Sequence, residues 1–183
     1  NSITFQDTEH SCRAYQIEKS YNLIFNENQI YNANVGSDPQ NIASGLLIEG
    51  IDNPTSGDPI EISGCLFSSC YGGNGSTLII KNFDYHLQIR STTFEKSKNN
   101  EIMNTDKNEP NGYLIVFMPT VGSTNHKLSF HDCVFNQLES NALSGGSIGL
   151  WYKEESSEMD LSFENTIFKN LYFSTENKDG GGG

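Results

Sequence analysis

Apolar and polar positions alternate along this chain in short bursts. Four segments align: IEISGCLFSSC from Ile60, LQIRSTTFEKS from Leu87, LSFHDCVFNQL from Leu128 and LSFENTIFKNL from Leu161. Each reads apolar, x, apolar, x, x, Cys or Thr, x, Phe. Phe67, Phe94, Phe135 and Phe168 thus recur at spacings of 27, 41 and 33 residues. LIFNENQI from Leu23 is a weaker copy, with Asn28 and Ile30 in the Cys/Thr and Phe positions. Period-two alternation rich in β-branched and aromatic residues predicts strands. No window carries a sustained 3.6-residue stripe with helix caps. A second apolar run follows a glycine-bearing turn in each unit: GLLIEG from Gly45, GGNGSTLII from Gly72, NGYLIVF from Asn111 and GGSIGLW from Gly145.

A unit of about 30 residues built from short strands cannot bury its own apolar face, whereas stacked units share a continuous core. The expected fold is therefore all-β: a parallel β-helix, or solenoid, of right-handed coils. Equivalent residues would lie about 4.8 Å apart up the stack, and the four Phe would form an internal ladder. Each buried Phe would contribute roughly 1.5–3 kcal/mol. Residues 1–45 read as an irregular N-terminal coil or cap, and residues 46–183 as regular coils. The closing GGGG falls where another turn would begin, which predicts a fragment of a longer array. The polar stretch around Lys96–Asn111 reads as a loop leaving the coil wall, and DNPTSGDP at Asp52–Pro59 as a turn-rich excursion. An antiparallel sandwich or jelly roll would accommodate the strand count but not the recurrence of one pattern in register.

Composition narrows the functional classes. The 183 residues are 35% hydrophobic and 11% aromatic, with a net charge of -12. That is too aromatic for a disordered chain. Without a basic cluster to track phosphates, nucleic acid is not an expected partner. The acidic excess favours solubility. No run of 18 apolar residues is present, so direct membrane insertion of this segment is not expected.

The four cysteines are Cys12, Cys65, Cys70 and Cys133. Cys65 and Cys133 share one repeat position with Thr92 and Thr166, a position that selects a small, weakly polar side chain; buried free thiols fit it. Two coils apart, Cys65 and Cys133 would sit roughly 9–10 Å from each other, too far for a disulfide. Pairings of Cys70 with Cys65 or Cys12 stay open. No second Cys/His pair completes a zinc site. GGNGSTLII resembles a calcium-binding nonapeptide once, but Thr77 stands where the ligating Asp would be, and no EF-hand loop is present. No cofactor and no metal are expected. Asn74-Gly75-Ser76 is an N-glycosylation sequon.

Candidate chemistry lies on the outward columns. Ser63, Arg90, His131 and Glu164 form one column, and Gly64, Ser91, Asp132 and Asn165 the next. They would bring His131, Asp132 and Glu164 together with Arg90 one coil away, the best constellation for a polysaccharide lyase or hydrolase. No paired carboxylate motif recurs and nothing marks a nucleophile, so an enzyme is the runner-up and no catalytic residue is assigned. His10, His86 and His126 stand alone and read as surface residues. Leu66, Thr93, Val134 and Ile167 lie between the Cys/Thr and Phe positions. Alternation turns these four outward as an aliphatic ladder, a candidate partner surface.

Gly145-Gly146-Ser147-Ile148 and the recurrent Phe tetrapeptides FSSC, FEKS, FNQL and FKNL resemble the repeats of the polymorphic outer membrane proteins (Pmp) of chlamydiae and β-helical surface proteins of microbial eukaryotes. Those repeats carry a GGA-aliphatic turn and an F-x-x-N tetrapeptide. Here the Phe is kept and the Asn is lost, over a resemblance spanning about Leu46 to Gly183. It implies a non-catalytic adhesin, at the cell surface or secreted, contacting a host-cell or neighbouring-cell surface protein or glycan. Adjacent β-helix coils of a longer chain would be its other partners. A purely structural segment of a large extracellular protein is the further alternative.

Overall fold

The computed structural model describes residues 4–5, 13–18, 23–35, 44–51, 60–72, 76–83, 86–99, 113–119, 126–140, 147–150 and 159–173. Among these residues the regular structure is entirely β, with no helix. The strands come in successive layers. β1 (Thr4–Phe5) precedes a layer of β2 (Tyr15–Glu18), β3 (Ile24–Asn26) and β4 (Gln29–Tyr31). The next holds β5 (Leu46–Ile51), β6 (Ile60–Ser63), β7 (Leu66–Ser68) and β8 (Tyr71–Gly72). A third holds β9 (Leu78–Phe83), β10 (His86–Arg90), β11 (Thr93–Glu95) and β12 (Lys98–Asn99). Then come β13 (Ile115–Pro119), β14 (His126–His131) and β15 (Val134–Ser140), and last β16 (Ile148–Leu150), β17 (Met159–Glu164) and β18 (Ile167–Phe173).

Each layer gives strands to the same three sheets, in the same order. Sheet I runs β2-β5-β9-β13-β16 and sheet II runs β3-β6-β10-β14-β17. Sheet III runs β1-β4-β7-β11-β15-β12-β8, with β18 also on β15. All pairings are parallel, and the four aligned segments meet in register: Phe67 faces Phe94, Phe94 faces Phe135 and Phe135 faces Phe168. Three parallel sheets sharing this layer order are consistent with a β-solenoid-like fold. The strands before Leu46 join the same three sheets, β2 on β5, β3 on β6 and β4 on β7.

The tight corners between strands recur at fixed positions. Glu27, Gly64, Ser91, Asp132 and Asn165 stand in register between sheets II and III, all with φ between 45° and 60°. Asn32, Ser69, Lys96, Gln137 and Asn170 do the same further along sheet III, with φ between 52° and 57°. A single left-handed residue turns the chain while its N–H still reaches the next layer, as Ser91 does to the His131 carbonyl at 2.9 Å. The position that follows, buried in the three middle layers and half-buried in the first and last, explains the Cys/Thr alternation. Its side chain bonds the carbonyl two residues back: Asn28 to Asn26, Cys65 to Ser63, Thr92 to Arg90, Cys133 to His131 and Thr166 to Glu164. Small donors that fold back on their own turn satisfy it.

The interior is one apolar cluster. Phe67, Phe94 and Phe135 are fully buried, and their rings stack with Phe168 at centroid distances of 5.1, 5.1 and 4.7 Å. Phe130 and Phe163 form a parallel stack at 4.9 Å, edge-on to the first ladder. Sheet I departs from simple alternation. Leu47, Ile79 and Val116 point away from this core, yet they are at most 2% exposed and form a second cluster with Tyr113 and Met118. The continuous runs LLI, LII and LIVF are the signature of strands buried on both faces. Gly149 continues that outer column. A Cβ there would lie 2.5 Å from Tyr113 Cγ, so the glycine makes room for the Tyr113 ring.

Candidate functional site

Two outward surfaces collect the residues that could meet a partner. On sheet III, Leu66, Thr93, Val134 and Ile167 are direct neighbours in register, as expected. The first three are half-buried and Ile167 is 52% exposed. A second outward column of the same sheet runs Tyr71, Lys98, Glu139, Tyr172. Its two tyrosines are exposed, and Lys98 and Glu139 pair at 2.7 Å. This wall is therefore aliphatic on one strip and aromatic and charged on another.

On sheet II, three layers set their outward residues in a regular field. Alternation turns His86, Gln88 and Arg90 out from β10, with Lys127, Ser129 and His131 beside them on β14. Asp160, Ser162 and Glu164 follow on β17. Of the sequence-derived cluster, His131 and Glu164 are brought together, Nδ1 to Oε2 at 2.9 Å. Asp132 is exposed at its left-handed turn, and the contact it makes with Glu164 is from its backbone N–H to the Glu164 carbonyl. Lys127 lies 4.0 Å from Asp160. Asp160 and Glu164 are four residues apart on one strand, about 13 Å, beyond the roughly 5–9.5 Å that two-carboxylate glycoside hydrolysis uses.

Two histidines read from the sequence as surface residues are placed otherwise. His86 is half-buried, and its Nε2 sits 2.9 Å from Ser129 Oγ, one layer on. Burial pushes the His86 imidazole below its ordinary value, and the positive charges of Lys127, Arg90 and His131 push it further the same way. His126 is 1% exposed, edge-on to Phe83 at 5.7 Å, with neither ring nitrogen hydrogen-bonded. The reason is register: His126 opens β14 on its inward parity, level with Met159 of β17. A histidine at a strand's first inward position carries no mark in a single sequence. The Ser129–His86 contact was equally hidden, because its partners are 43 residues apart.

Cys65, Cys70 and Cys133 are free, buried thiols. Burial raises all three, Cys70 to about 12 even though Ser97 and Ser44 hydrogen-bond it. Such thiols are poor nucleophiles and poor metal ligands. Among the described residues no group of three His, Cys, Asp or Glu side chains is arranged to hold a metal ion. Asn74, Cys12, His10 and most of the Lys96–Asn111 loop lie outside the described residues. No helix among the described residues is long and apolar enough to cross a membrane. No family model, no curated protein and no solved structure matches this chain.

Proposed function

We propose that the chain is a segment of a right-handed parallel β-helix serving as a non-catalytic binding scaffold, an adhesin of the cell surface or of secretion. The observation that carries this reading is the outward wall of sheet III. There Leu66, Thr93, Val134 and Ile167 form an unbroken column, and exposed Tyr71 and Tyr172 share the same face. Half-exposed aliphatic and aromatic side chains on a rigid, flat support are what a protein or glycan surface of a host or neighbouring cell would engage. Further coils of a longer chain are the second class of partner. In the last described layer, Leu161, Phe163 and Phe168 are 41–44% exposed, while their counterparts Leu128, Phe130 and Phe135 are fully buried.

The test is binding of the purified, fluorescently labelled chain to a panel of cultured animal and microbial cells. The double variant Val134→Lys with Ile167→Lys is the comparison. Saturable binding that the double variant loses supports the reading. Binding unchanged by the double variant, or no binding above an unrelated β-helix, removes it.

A further inference from the structure

Layer meets layer by one rule at the corner between sheets II and III. The left-handed residue sends its N–H forward to the carbonyl that precedes the corner of the next layer. Glu27 bonds Ser63 in this way, Gly64 bonds Arg90, Ser91 bonds His131 and Asp132 bonds Glu164, all at 2.9–3.0 Å. The carbonyl of the residue after the corner accepts from the next layer in return: Asn28 from Leu66, Cys65 from Thr93, Thr92 from Val134 and Cys133 from Ile167. The last layer repeats this corner at Asn165 and Thr166, and among the described residues no further layer meets it. By the same rule the Asn165 N–H is an open donor and the Thr166 carbonyl an open acceptor. The outer edges of β16, β17 and β18 continue that row of unpaired backbone groups on either side.

The side chains of this edge are equally selective. Leu161, Phe163 and Phe168 hold inward positions whose counterparts in the fourth layer are fully buried, yet all three are exposed. Outward on β17 stand two carboxylates, Asp160 and Glu164. The fourth layer shows what fits them: Lys127 faces Asp160, and His131 Nδ1 meets Glu164 Oε2 at 2.9 Å. The opposite end of the stack differs. In the first layer Phe25 is 7% exposed and Ile30 is fully buried. A second copy therefore brings no matching open layer from that end, and two chains of net charge -12 repel each other. Two copies meeting end face to end face with continuous walls would pair antiparallel, which breaks the corner rule.

We propose that the open edge of β16, β17 and β18 is a docking site for a strand–corner–strand segment of a partner chain, added parallel as one more layer. Its strands carry apolar or aromatic side chains inward and cations opposite Asp160 and Glu164. The carbonyl before its corner accepts the Asn165 N–H. The N–H two residues past its corner residue donates to the Thr166 carbonyl. This is strand addition at a sheet edge, where main-chain bonds supply affinity and alternate side chains supply specificity. The layer-to-layer interface already made four times in the fold is simply continued. The inference rests on the reading of this face as an uncovered seat and names the chemistry that the seat selects.

Fluorescence anisotropy of a labelled peptide titrated with the purified chain tests it. The peptide is residues 126–140, HKLSFHDCVFNQLES, with Cys133→Thr; it sets Lys127 and His131 opposite the two carboxylates. It should bind saturably, and a scrambled peptide of the same composition should not. N-methylation of Val134 in the peptide removes the donor to Thr166 and should weaken binding at least about tenfold. In the protein, Phe168→Lys should abolish binding, while Ile24→Lys, at an exposed position of the first layer, should leave it unchanged. If Phe168→Lys does not fold, the N-methylated peptide decides. Equal binding of the scrambled or the N-methylated peptide would overturn the proposal. So would self-association of the chain alone in sedimentation, lost in Phe168→Lys, which would give the face to a second copy. No peptide binding, with cell binding through the sheet III wall intact, overturns this inference and leaves that reading standing. An end layer as protected from hydrogen exchange as β10 in the free chain removes the seat and this inference together.

Discussion

One position in each layer takes Asn, Cys or Thr because the left-handed residue before it leaves a carbonyl to be bonded two residues back. The size limit was legible in the sequence, where Cys65, Thr92, Cys133 and Thr166 alternate. The bond was not, since it depends on a turn of one residue whose left-handed φ falls on Ser91 and Asp132 as well as on Gly64. Cys70 sits at the second corner, fully buried, with its backbone N–H donating to Ser97 Oγ at 3.2 Å. Its thiol is raised from 9.0 to about 12, mainly by burial. The unfolded chain therefore releases this proton first as pH rises. The thiol's contribution to stability is complete below pH 9.0 and is lost progressively between 9.0 and about 12. Denaturant titrations of the protein and of Cys70→Ala across that range measure it: the difference in stability between the two should shrink as pH rises. A difference constant with pH would show that Cys70 is not the group responsible.

At the scale of elements, the strands of sheets II and III were legible because one face is buried and period two is their native pattern. The Phe ladder follows from that parity, and the rings stack at 4.7–5.1 Å, close to the strand spacing itself. Sheet I was less legible. Its runs LLI, LII and LIVF bury both faces, and the outer cluster of Leu47, Ile79 and Val116 could not be told from core by periodicity. The polar field on sheet II was half visible: the His131–Glu164 neighbourhood followed from register, but which nitrogen meets which oxygen did not. The ladder itself gives a graded expectation. Phe135 is fully buried between Phe94 and Phe168 and edge-on to Phe130, so Phe135→Ala should cost about 3–5 kcal/mol. Phe168 occupies the same column at 44% exposure, and Phe168→Ala should cost about 1–2 kcal/mol. Equilibrium denaturation of both variants compares them. Equal costs would mean that Phe168 is covered in solution as fully as Phe135.

At the scale of the whole molecule, layers that contact only their neighbours make stability a sum of local terms, and an end layer has one interface where an inner layer has two. The layer of β16, β17 and β18 is such an end. Each of the three sheets stops there among the described strands, β16 on β13, β17 on β14 and β18 on β15. Leu161, Phe163, Ile167, Phe168 and Tyr172 are 41–61% exposed in it. Its backbone bonds reach back to the fourth layer, as Ile167 N–H does to the Cys133 carbonyl at 2.9 Å. Opening it exposes one apolar interface; opening β10 exposes two. Amide hydrogen exchange should therefore be graded along the stack, fastest in β17 and β18 and slowest in β10 and β14, with exchange in the end layer proceeding well below the free energy of global unfolding. Peptide-resolved exchange with mass-spectrometric readout measures the gradient directly. If β17 were as protected as β10, the end face would be covered in solution, and the reading of that face as a seat for further coils would fall.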